Sequence, residues 1–382
     1  MNIEIKGVQF VNKGAELMLA AVVARIKEYW PDAEIVLEGN PLSPYKERAL
    51  LGAYQKLSLR KNVIDFNLLS YYLPKAVRNY LKKWGVVTEA DIDVVLDAAG
   101  FAYGDQWGAL KMKHLGGELK RYKKHGCKYI FLPQALGPFS RISDQKVIKE
   151  AFPQTSLICA REIDSYNHVQ TFLGEANNLV QFPDFTNAVK GIVPSYWKNG
   201  QQKVCFIPNS NMVGVKNPNE SWKKNYINIM TLLIKQVTEL GLKPVLLNHE
   251  GEGDKEICNT LNRYFDNQLE LIEESDPLKV KGIIGDSKAI VCSRFHGCVS
   301  ALSQGILNLG TSWSHKYEQL FSEYGVSNLL IDPNASEQEL VTLLNSLFDP
   351  KQPHLTFIKE NAEKYKKITE NMWSQVVDVV NS

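Results

Sequence analysis

The sequence predicts an α/β fold built from two doubly wound, Rossmann-like domains. Short apolar runs rich in β-branched residues alternate with segments of helical periodicity along the chain, which is typical of parallel βαβ architecture. The 382 residues are too many for one ordinary core and enough for two. A stretch rich in Gly, Pro and polar residues, 190–202, interrupts the alternation near its middle. We therefore predict an N-terminal domain over residues 1–190 and a C-terminal domain over residues 191–382.

The predicted strands are apolar runs that end in polar or glycine-containing turns. In the first domain they cover residues 3–8, 34–38, 93–98, 128–132, 156–160 and 179–182, with a helix over 15–29 and helices with a mobile loop over 40–90. In the second domain they cover residues 203–207, 244–248, 270–272, 289–292, 306–309 and 328–331, before a C-terminal helix that is predicted to pack back on the first domain. Two such domains of similar size facing each other across a cleft form the GT-B architecture.

The composition excludes several classes of protein. Apolar residues make up 44% and charged residues 23%, as in soluble globular proteins. The net charge is +2 and no compact Lys/Arg run has interleaved aromatics, so we expect no nucleic-acid partner. The N-terminus does not resemble a signal peptide, and no apolar run approaches the ~18 residues of a membrane span. Six scattered cysteines without a C-x-x-C pair argue against a zinc site and predict reduced thiols in a cytoplasmic protein. The sequence shows no metal-ligand constellation, and we expect no metal and no cofactor.

The stretch from Ala289 to Gly305, A-I-V-C-S-R-F-H-G-C-V-S-A-L-S-Q-G, carries the most chemistry. Its predicted strand ends at Ser293, Arg294 and His296, and a helix of small apolar residues is expected to begin near Gly297. Ligands bind at the carboxyl ends of strands in such sheets, and helix N-termini attract anions. The pattern therefore predicts a clamp for a phosphate or carboxylate. The alternative is that Arg294 forms a salt bridge with a neighbour and His296 is structural.

Other strand ends in the first domain add weaker candidates. After the first strand, V-N-K-G-A-E places Asn12 where it can cap a helix, and an ordinary turn is equally compatible with it. After the third strand, three glycines surround Tyr103 and Trp107, an arrangement that suits stacking of a sugar ring or a flexible surface loop. The loop has no G-x-G-x-x-G register, so it does not indicate a dinucleotide site. After the fourth strand, Gln134 lies where its amide can bind a ligand hydroxyl or stabilise a turn.

Cationic residues at strand ends form the second set of candidates. Arg161 stands at the tip of the fifth strand, where the acids that follow it are typical of a helix start. In the second domain, Lys316 lies one turn into a helix, and His249 follows a strand. The acidic, glycine-rich stretch after His249 matches no calcium loop, so it is interpreted as solvated. Arg161, Arg294, His296 and Lys316 are expected to converge on one cleft.

This order of motifs resembles the polysaccharide pyruvyl transferase family over roughly residues 7–325. The motifs are N-x-G-A-E, a glycine loop after the third strand, L-P-Q-A-L-G-P, A-R-E-x-x-S, P-D, and S-R-F-H-G-C-V-S-A-L-S-Q-G followed by a Lys-Tyr pair. The resemblance implies a GT-B fold and transfer of the pyruvyl group of phosphoenolpyruvate to two sugar hydroxyls, which forms a cyclic ketal in surface-polysaccharide biosynthesis and releases phosphate.

The chain departs from the family pattern at three places. Ala98, Ala99 and Gly100 stand where the family commonly has three glycines, Glu162 replaces an Asp, and Phe295 replaces a Leu. The Arg and His positions are kept, so the resemblance still implies the same donor. The altered glycine loop leaves the identity of the sugar open.

The resemblance also implies roles for single residues. Phosphoenolpyruvate is small and multiply anionic, which favours several cations and helix N-termini around it. His296 is expected to serve either as the acid that protonates the vinyl carbon or as a phosphate ligand, and Arg161 and Arg294 are expected to assist catalysis. The expected donor contacts are Arg161, Ser293, Arg294, His296 and Lys316. The expected acceptor contacts are Asn12, Glu16, Gly100, Tyr103, Trp107 and Gln134.

Two other functions remain open at this level. A nucleotide-sugar glycosyltransferase or epimerase of the same fold would need an acid for the ribose hydroxyls, for which Glu318 is available. A non-catalytic sugar- or anion-binding subunit is the second alternative. The acceptor is expected to be a glycan, with a lipid-linked form at the inner face of the membrane as one option. The Lys-rich stretch 111–128 suits contact with anionic headgroups, but a solvated helix face interrupted by Gly116 and Gly117 is the favoured interpretation.

Overall fold

The computed structural model describes residues 1–215, 217–312 and 314–382, without the side chain of His315. The chain divides into two compact units. The first unit comprises Met1–Val11, Met18–Phe185 and Ile368–Ser382, and the second comprises Asn12–Leu17 and Thr186–Lys367. The change of unit after Phe185 lies slightly before the predicted boundary at 190/191. The start of the first helix belongs to the second unit, and the end of the last helix belongs to the first.

The first unit is built on a parallel sheet with helices between its strands. Its strand order is β11-β10-β9-β7-β1-β2-β3-β6, with β8 paired to β9, and an antiparallel ribbon β4-β5 lies outside this sheet. The strands are β1 (Asn2–Lys6), β2 (Glu34–Glu38), β3 (Tyr54–Lys56), β4 (Arg60–Lys61), β5 (Ile64–Asp65), β6 (Val86–Val87), β7 (Val94–Asp97), β8 (Phe101–Tyr103), β9 (Lys128–Leu136), β10 (Leu157–Ala160) and β11 (Leu179–Gln181). The helices are α1 (Lys13–Tyr29), α2 (Tyr45–Leu50), α3 (Lys75–Lys83), α4 (Ala109–Lys124), α5 (Ile142–Ala151) and α6 (Ile163–Leu173).

The second unit is also a parallel sheet, with strand order β14-β13-β12-β15-β16. This order places β13 on one side of β12 and β15 on the other, so the topological switch point lies between β12 and β15. The strands are β12 (Lys203–Ile207), β13 (Lys243–Asn248), β14 (Glu270–Glu273), β15 (Ala289–Cys292) and β16 (Leu307–Gly310). The helices are α7 (Glu220–Glu239), α8 (Gly251–Arg263), α9 (Pro277–Asp286), α10 (Phe295–Leu302), α11 (His315–Glu323), α12 (Glu337–Phe348) and α13 (His354–Asn381).

Residues 40–90 differ from the expectation, because they contribute strands as well as helices. The short strand β3 pairs with β2, although its sequence Y-Q-K has no apolar run. A buried ionic cluster explains this strand: Lys56 Nζ lies 2.9 and 2.8 Å from the two carboxylate oxygens of Glu4 on β1. Lys56 also donates to Glu118 (3.2 Å) and to the hydroxyl of Tyr122 (2.9 Å). A lysine can be buried in a strand when partners of opposite charge compensate it.

Two further local predictions are wrong. The predicted strand 328–331 is a 3-10 turn, Ser327–Leu329, with a single parallel bridge between Gly310 and Leu330. A short apolar run is compatible with either structure, so periodicity does not distinguish them. The expected interruption at Gly116 and Gly117 does not occur, since α4 runs through both. A Cβ on Gly116 would lie 3.0 Å from Val147, so this glycine allows α4 and α5 to pack closely.

The two units bury their cysteines and the central strands of their sheets. The six cysteines are free and buried. The central strands of both main sheets are buried along most of their length, as expected when helices cover both faces. Within the described part of the chain, no helix combines the length and apolar character needed to cross a membrane.

Candidate functional site

The turn between β15 and α10 in the second unit is held by a buried network around Ser293. The Ser293 hydroxyl lies 2.6 Å from the hydroxyl of Tyr226 and accepts a hydrogen bond from Thr311 (2.7 Å). Its carbonyl accepts hydrogen bonds from Asn209 Nδ2 (3.0 Å) and the Tyr317 hydroxyl (2.9 Å). Ser293 therefore positions the turn at the switch point, and its predicted contact with the donor stays a prediction.

Arg294 is paired with two carboxylates from α8 and the residue before it. Its Nε and Nη2 donate to the two oxygens of Asp254 at 2.7 and 2.5 Å, and its Nη1 donates to Glu250. Asp254 is fully buried and also accepts from the backbone N–H of Ser210 (2.9 Å). The structure thus contains the salt bridge that the sequence offered as an alternative. Three of the five N–H groups of the guanidinium take part in these bonds.

The acidic stretch after His249 was expected to be solvated, and this prediction is wrong for Asp254. The stretch begins helix α8, and Asp254 points inward to Arg294. Its charge is compensated by a residue forty positions later in the chain. Local sequence gives no sign of such a partner, whereas a run of acids and glycines is usually exposed.

His296 lies against the start of helix α1, which belongs to the second unit. A Cβ built on Gly14 would lie 2.2 Å from His296 Nδ1 and 2.6 Å from its Cγ. The Asn12 side chain caps this helix by accepting from the backbone N–H groups of Gly14 (2.9 Å) and Ala15 (3.1 Å). The amide of Asn12 donates to Glu250 (2.8 Å), which also binds Arg294. The N-x-G motif therefore lies beside the Arg-x-His motif.

Asn12 and Glu16 were predicted on the acceptor side of the first domain, and they belong instead to the second unit. Glu16 accepts from Lys13 Nζ (2.6 Å), and the same ammonium donates to the carbonyl of Ser275 (2.5 Å). The sequence pattern assigned no role to Lys13. Its position beside the predicted helix cap was the available signal.

His249 is a second histidine of this site, to which the sequence analysis gave no definite role. Its side chain is 5% exposed, and its Nδ1 has no hydrogen-bond partner among the described residues. Burial, together with the positive charges of Arg294, His296 and Lys13, lowers the pKa of His249 to about 3. A neutral imidazole surrounded by cationic groups is thus available in the same place as Arg294 and His296.

Lys316, on α11, lies near the same turn. Its Nζ is 4.9 Å from the ring centroid of Phe295 and 5.7 Å from that of Tyr317. The Tyr317 ring packs edge-to-face on Phe295 at 5.7 Å. We call the group formed by Gly14, His249, Arg294, His296 and Lys316 the switch-point site.

Arg161 belongs to the first unit and is buried at the end of β10. Its Nε donates to Glu162 (3.2 Å) and its Nη1 lies 3.5 Å from Asp184, which follows β11. Its backbone N–H donates to the carbonyl of Gln134 (3.0 Å). Glu162 precedes α6 and accepts from Ser165 (2.5 Å), so it acts as the helix-start residue that the sequence indicated.

A pocket of about 460 Å³ lies at the carboxyl ends of β1 and β2 in the first unit. Two of the predicted acceptor residues, Tyr103 and Trp107, line it. Tyr103 is buried and its hydroxyl donates to Asp97 (2.7 Å), so only its ring is available. Trp107 is 44% exposed. We call this cavity the aromatic pocket.

The other predicted acceptor residues of the first unit do not line the aromatic pocket. Gln134 is fully buried, and its amide donates to the carbonyl of Asp97 (3.2 Å). A Cβ on Gly100 would lie 2.8 Å from Met18, so that glycine serves close packing. The pocket also contains the cations Lys6, Arg60 and Lys111. Sequence reasoning gave Lys6 and Arg60 no role and considered Lys111 only as part of the Lys-rich stretch 111–128. Among the described residues, no group of three or more His, Cys, Asp or Glu side chains is arranged to hold a metal ion.

Several solved structures have the same fold. They include UDP-GlcNAc 2-epimerase from Neisseria meningitidis bound to UDP-GlcNAc, with TM-score 0.62, 10% identity, and coverage of 99% of this chain and 100% of that one. Anabaena HepE in complex with UDP and glucose has TM-score 0.56 and 14% identity, with 100% and 99% covered. UDP-GlcNAc 2-epimerase from Methanocaldococcus jannaschii has TM-score 0.54 and 12% identity, with 92% and 94% covered. At these identities the likeness shows the fold alone, which is the GT-B class of two Rossmann-like domains.

The family of this chain is identified from its amino-acid sequence. None of the proteins with curated annotation has a sequence that matches this chain. The model of the family described as polysaccharide pyruvyl transferase matches residues 12–315, which include Asn12, Arg161, Arg294 and His296. This match covers well over half of the chain. The chain belongs to the polysaccharide pyruvyl transferase family.

Proposed function

We propose that this protein transfers the pyruvyl group of phosphoenolpyruvate to two hydroxyls of a glycan, forming a pyruvate ketal and releasing phosphate. The observation that carries the proposal is the switch-point site, where Arg294 and His296 lie at the start of α10 and against the start of α1. Helix N-termini and an arginine suit the phosphate and carboxylate of a small anionic donor. Membership of the family supports the same reaction class.

The proposed donor contacts come from different elements. Arg294 has N–H groups beyond those bound to Asp254 and Glu250, and we assign them to the donor phosphate. His249, which its low pKa keeps neutral near pH 7, is proposed to donate or accept one hydrogen bond to the donor without adding charge. Lys316 supplies a further positive charge. Arg161 is proposed to bind a second anionic group of the donor, while its two carboxylate neighbours fix the orientation of its guanidinium.

The proposed chemistry has three steps, which are addition of a proton and a hydroxyl oxygen, loss of phosphate, and ring closure. The vinyl carbon of phosphoenolpyruvate accepts a proton, and a sugar hydroxyl oxygen forms a bond to the carbon that bears the phosphate. The bond from that carbon to the phosphate oxygen then breaks, and phosphate leaves with its electron pair. The second hydroxyl attacks the same carbon and closes the ring. Of the two hydroxyl protons, one balances the proton now in the methyl group and the other leaves with phosphate.

His296 is proposed either to deliver the proton to the vinyl carbon or to bind the phosphate. An imidazole has an unperturbed pKa near neutrality, which suits general acid catalysis. The scheme needs no metal ion, so we expect chelation to leave turnover unchanged. Restoration of a chelated, inactive enzyme by a divalent ion would overturn that expectation.

The acceptor is proposed to be a glycan of a surface polysaccharide, with a lipid-linked form at the cytoplasmic face of the membrane as one option. The Lys-rich stretch 111–128 gives this membrane option little support. Lys120 pairs with Glu150, and Arg121 is held by Glu89 and Asp65. Lys128 donates to the carbonyl of Val380 (3.0 Å). Co-sedimentation with anionic liposomes at low and moderate salt tests the membrane contact directly.

The function is tested by incubating the protein with phosphoenolpyruvate and a panel of glycan acceptors and measuring phosphate. We expect phosphate release that depends on both the acceptor and phosphoenolpyruvate, without any nucleotide. The variant His296→Asn, in which we expect strongly reduced phosphate release, serves as the matched control. Consumption of a UDP-sugar instead would support the nucleotide-sugar alternative, in which Glu318 would bind the ribose. Binding of sugar without turnover of either donor would indicate a non-catalytic subunit.

A further inference from the structure

The aromatic pocket lies where Rossmann-like sheets bind their ligands. Its lining includes Lys6 at the end of β1, Glu38 at the end of β2, and Trp107 in the 3-10 turn that follows β8. Carboxyl ends of parallel strands are the usual place for small-molecule sites in such folds. The switch-point site and Arg161 do not line this pocket, so it is available for a separate part of the substrate.

Lys111 on the first turn of α4 stands over both aromatic rings of the pocket. Its Nζ lies 4.9 Å from the ring centroid of Trp107 and 5.6 Å from that of Tyr103. The Phe101 ring meets Trp107 edge-to-face at 5.9 Å, which holds the indole in place. A half-exposed indole next to an ammonium offers an apolar face and a charge to the same ligand.

The charge of Lys111 is not matched by the protein, unlike that of the other two cations. Lys6 is bound to the buried Glu118, and Arg60 lies 3.8 Å from Asp65 and 3.9 Å from Glu118. In the part of the chain that the structure describes, Lys111 makes no ion pair with a carboxylate. Lys6 and Arg60 therefore have a structural use as partners of buried acids, whereas Lys111 does not.

Asp97, the acid whose charge acts on Lys111, offers it little direct compensation. Asp97 is fully buried and accepts hydrogen bonds from the hydroxyls of Tyr103 (2.7 Å) and Tyr129 (2.6 Å). Burial lowers the pKa of Lys111, the charge of Asp97 opposes this change, and the nearby ammonium of Lys6 adds to it. An anion in the cavity beside Lys111 would favour its charged form.

We propose that the aromatic pocket binds an acidic sugar residue of the acceptor glycan, with the sugar ring on Trp107 and its anionic group on Lys111 beside Lys6. The proposal rests on the proposed function only in identifying the bound sugar as part of the acceptor. A carboxylate of a uronic acid and a phosphate on a sugar share the required chemistry, because both are compact oxyanions that accept from an ammonium. A neutral hexose would leave the charge of Lys111 unmatched.

Binding is measured without phosphoenolpyruvate, by calorimetry or ligand-observed NMR, with three probes. Methyl β-D-glucuronide carries a carboxylate, glucose 1-phosphate carries a phosphate, and methyl β-D-glucoside is the uncharged match. We expect at least one charged probe to bind about tenfold more tightly than the glucoside, which is the size of one charge-assisted contact. Preference between the two charged probes identifies the anionic group. Equal binding of all three probes would overturn the proposal.

Variants assign the effect to Lys111. Lys111→Met keeps the apolar stem and is expected to abolish the preference for charged probes, whereas Lys111→Arg is expected to retain most of it. Lys113→Met, an exposed lysine on the same helix, is the control and should behave as wild type. Trp107→Ala should weaken the binding of all three probes to a similar extent, since it removes the ring on which the sugar stacks. A charge preference that survives in Lys111→Met would contradict the assignment.

The outcome separates this proposal from the proposed function. If acidic probes bind through Lys111 but phosphoenolpyruvate gives no phosphate with any acceptor, the pocket assignment is correct and the proposed reaction is wrong. If neutral glycans support phosphate release while acidic probes do not bind, the reaction is correct and the pocket assignment is wrong.

Discussion

The α-carbon of Gly14 lies so close to the imidazole of His296 that a Cβ there would be 2.2 Å from Nδ1. This contact connects the first motif of the chain with its most specific one, although 282 positions separate them. It explains why a glycine stands inside the first turn of α1, where alanine would favour a helix more.

Gly14→Ala is predicted to reduce turnover by about tenfold or more while changing the melting temperature little. The new methyl group must displace the His296 ring, and small displacements of a catalytic group are costly for the rate. Gly117→Ala is the matched control, because its Cβ would meet only Arg121 at an ordinary 3.6 Å. Steady-state kinetics and thermal unfolding of both variants provide the measurement. Equal kinetics in the two variants would show that the contact is not functional.

His296→Asn is predicted to lower kcat by ~10²-fold or more, the usual size of a general-acid effect. Asparagine keeps a similar shape and one hydrogen-bonding group but cannot supply the proton. Kinetics with varied phosphoenolpyruvate distinguish the two proposed roles. A normal kcat with a strongly raised KM for phosphoenolpyruvate would identify His296 as a phosphate ligand instead.

Arg294→Ala is predicted to raise the KM for phosphoenolpyruvate and also to destabilise the protein by ~3–5 kcal/mol, because Asp254 would remain buried without its partner. Arg294→Lys keeps a charge beside Asp254, so it should recover most of the stability but little of the donor binding, since it lacks the forked geometry. Urea unfolding and donor titration separate the two effects. Wild-type affinity for phosphoenolpyruvate in both variants would exclude Arg294 as a donor contact.

Arg161→Ala is also expected to raise the KM for phosphoenolpyruvate.

His249 is predicted to make the folded state sensitive to acid. Its pKa is about 3 in the folded protein against an ordinary value of 6.5, so below pH 6.5 the unfolded chain binds a proton that the folded protein does not. Stability therefore falls as the pH decreases from about 6.5 towards 3, by at most ~1.4 kcal/mol for each pH unit. His249→Gln should remove this contribution. Urea unfolding of both proteins between pH 7 and pH 5 tests it, and identical slopes would contradict it.

Lys56→Met is predicted to destabilise the protein by ~3–5 kcal/mol, because Glu4 and Glu118 are both buried and would lose their shared partner. The double variant Glu4→Gln/Lys56→Met removes one of the stranded charges and should recover part of the loss. Urea unfolding at pH 7 measures both. If the single variant is as stable as wild type, the ionic cluster does not stabilise the first unit.

Local sequence determined those features whose physical cause is local. The strands 34–38, 203–207 and 289–292 have the bounds that their apolar runs predict, because both faces of a parallel strand must be buried. The Asn12 cap and the Arg-x-His turn follow from residue types at fixed spacing, and together with the order of the other motifs they pointed to the family that the chain belongs to.

Only the tertiary structure decided which distant groups meet. It placed Asp254 against Arg294, Lys56 between Glu4 and Glu118, and Gly14 against His296, and it left Lys111 without a carboxylate partner among the described residues. In each case the residue type alone predicts exposure or flexibility, and the outcome depends on a charge or ring supplied from another part of the chain. Pairing of buried charges is a long-range electrostatic effect, so periodicity and composition contain no record of it.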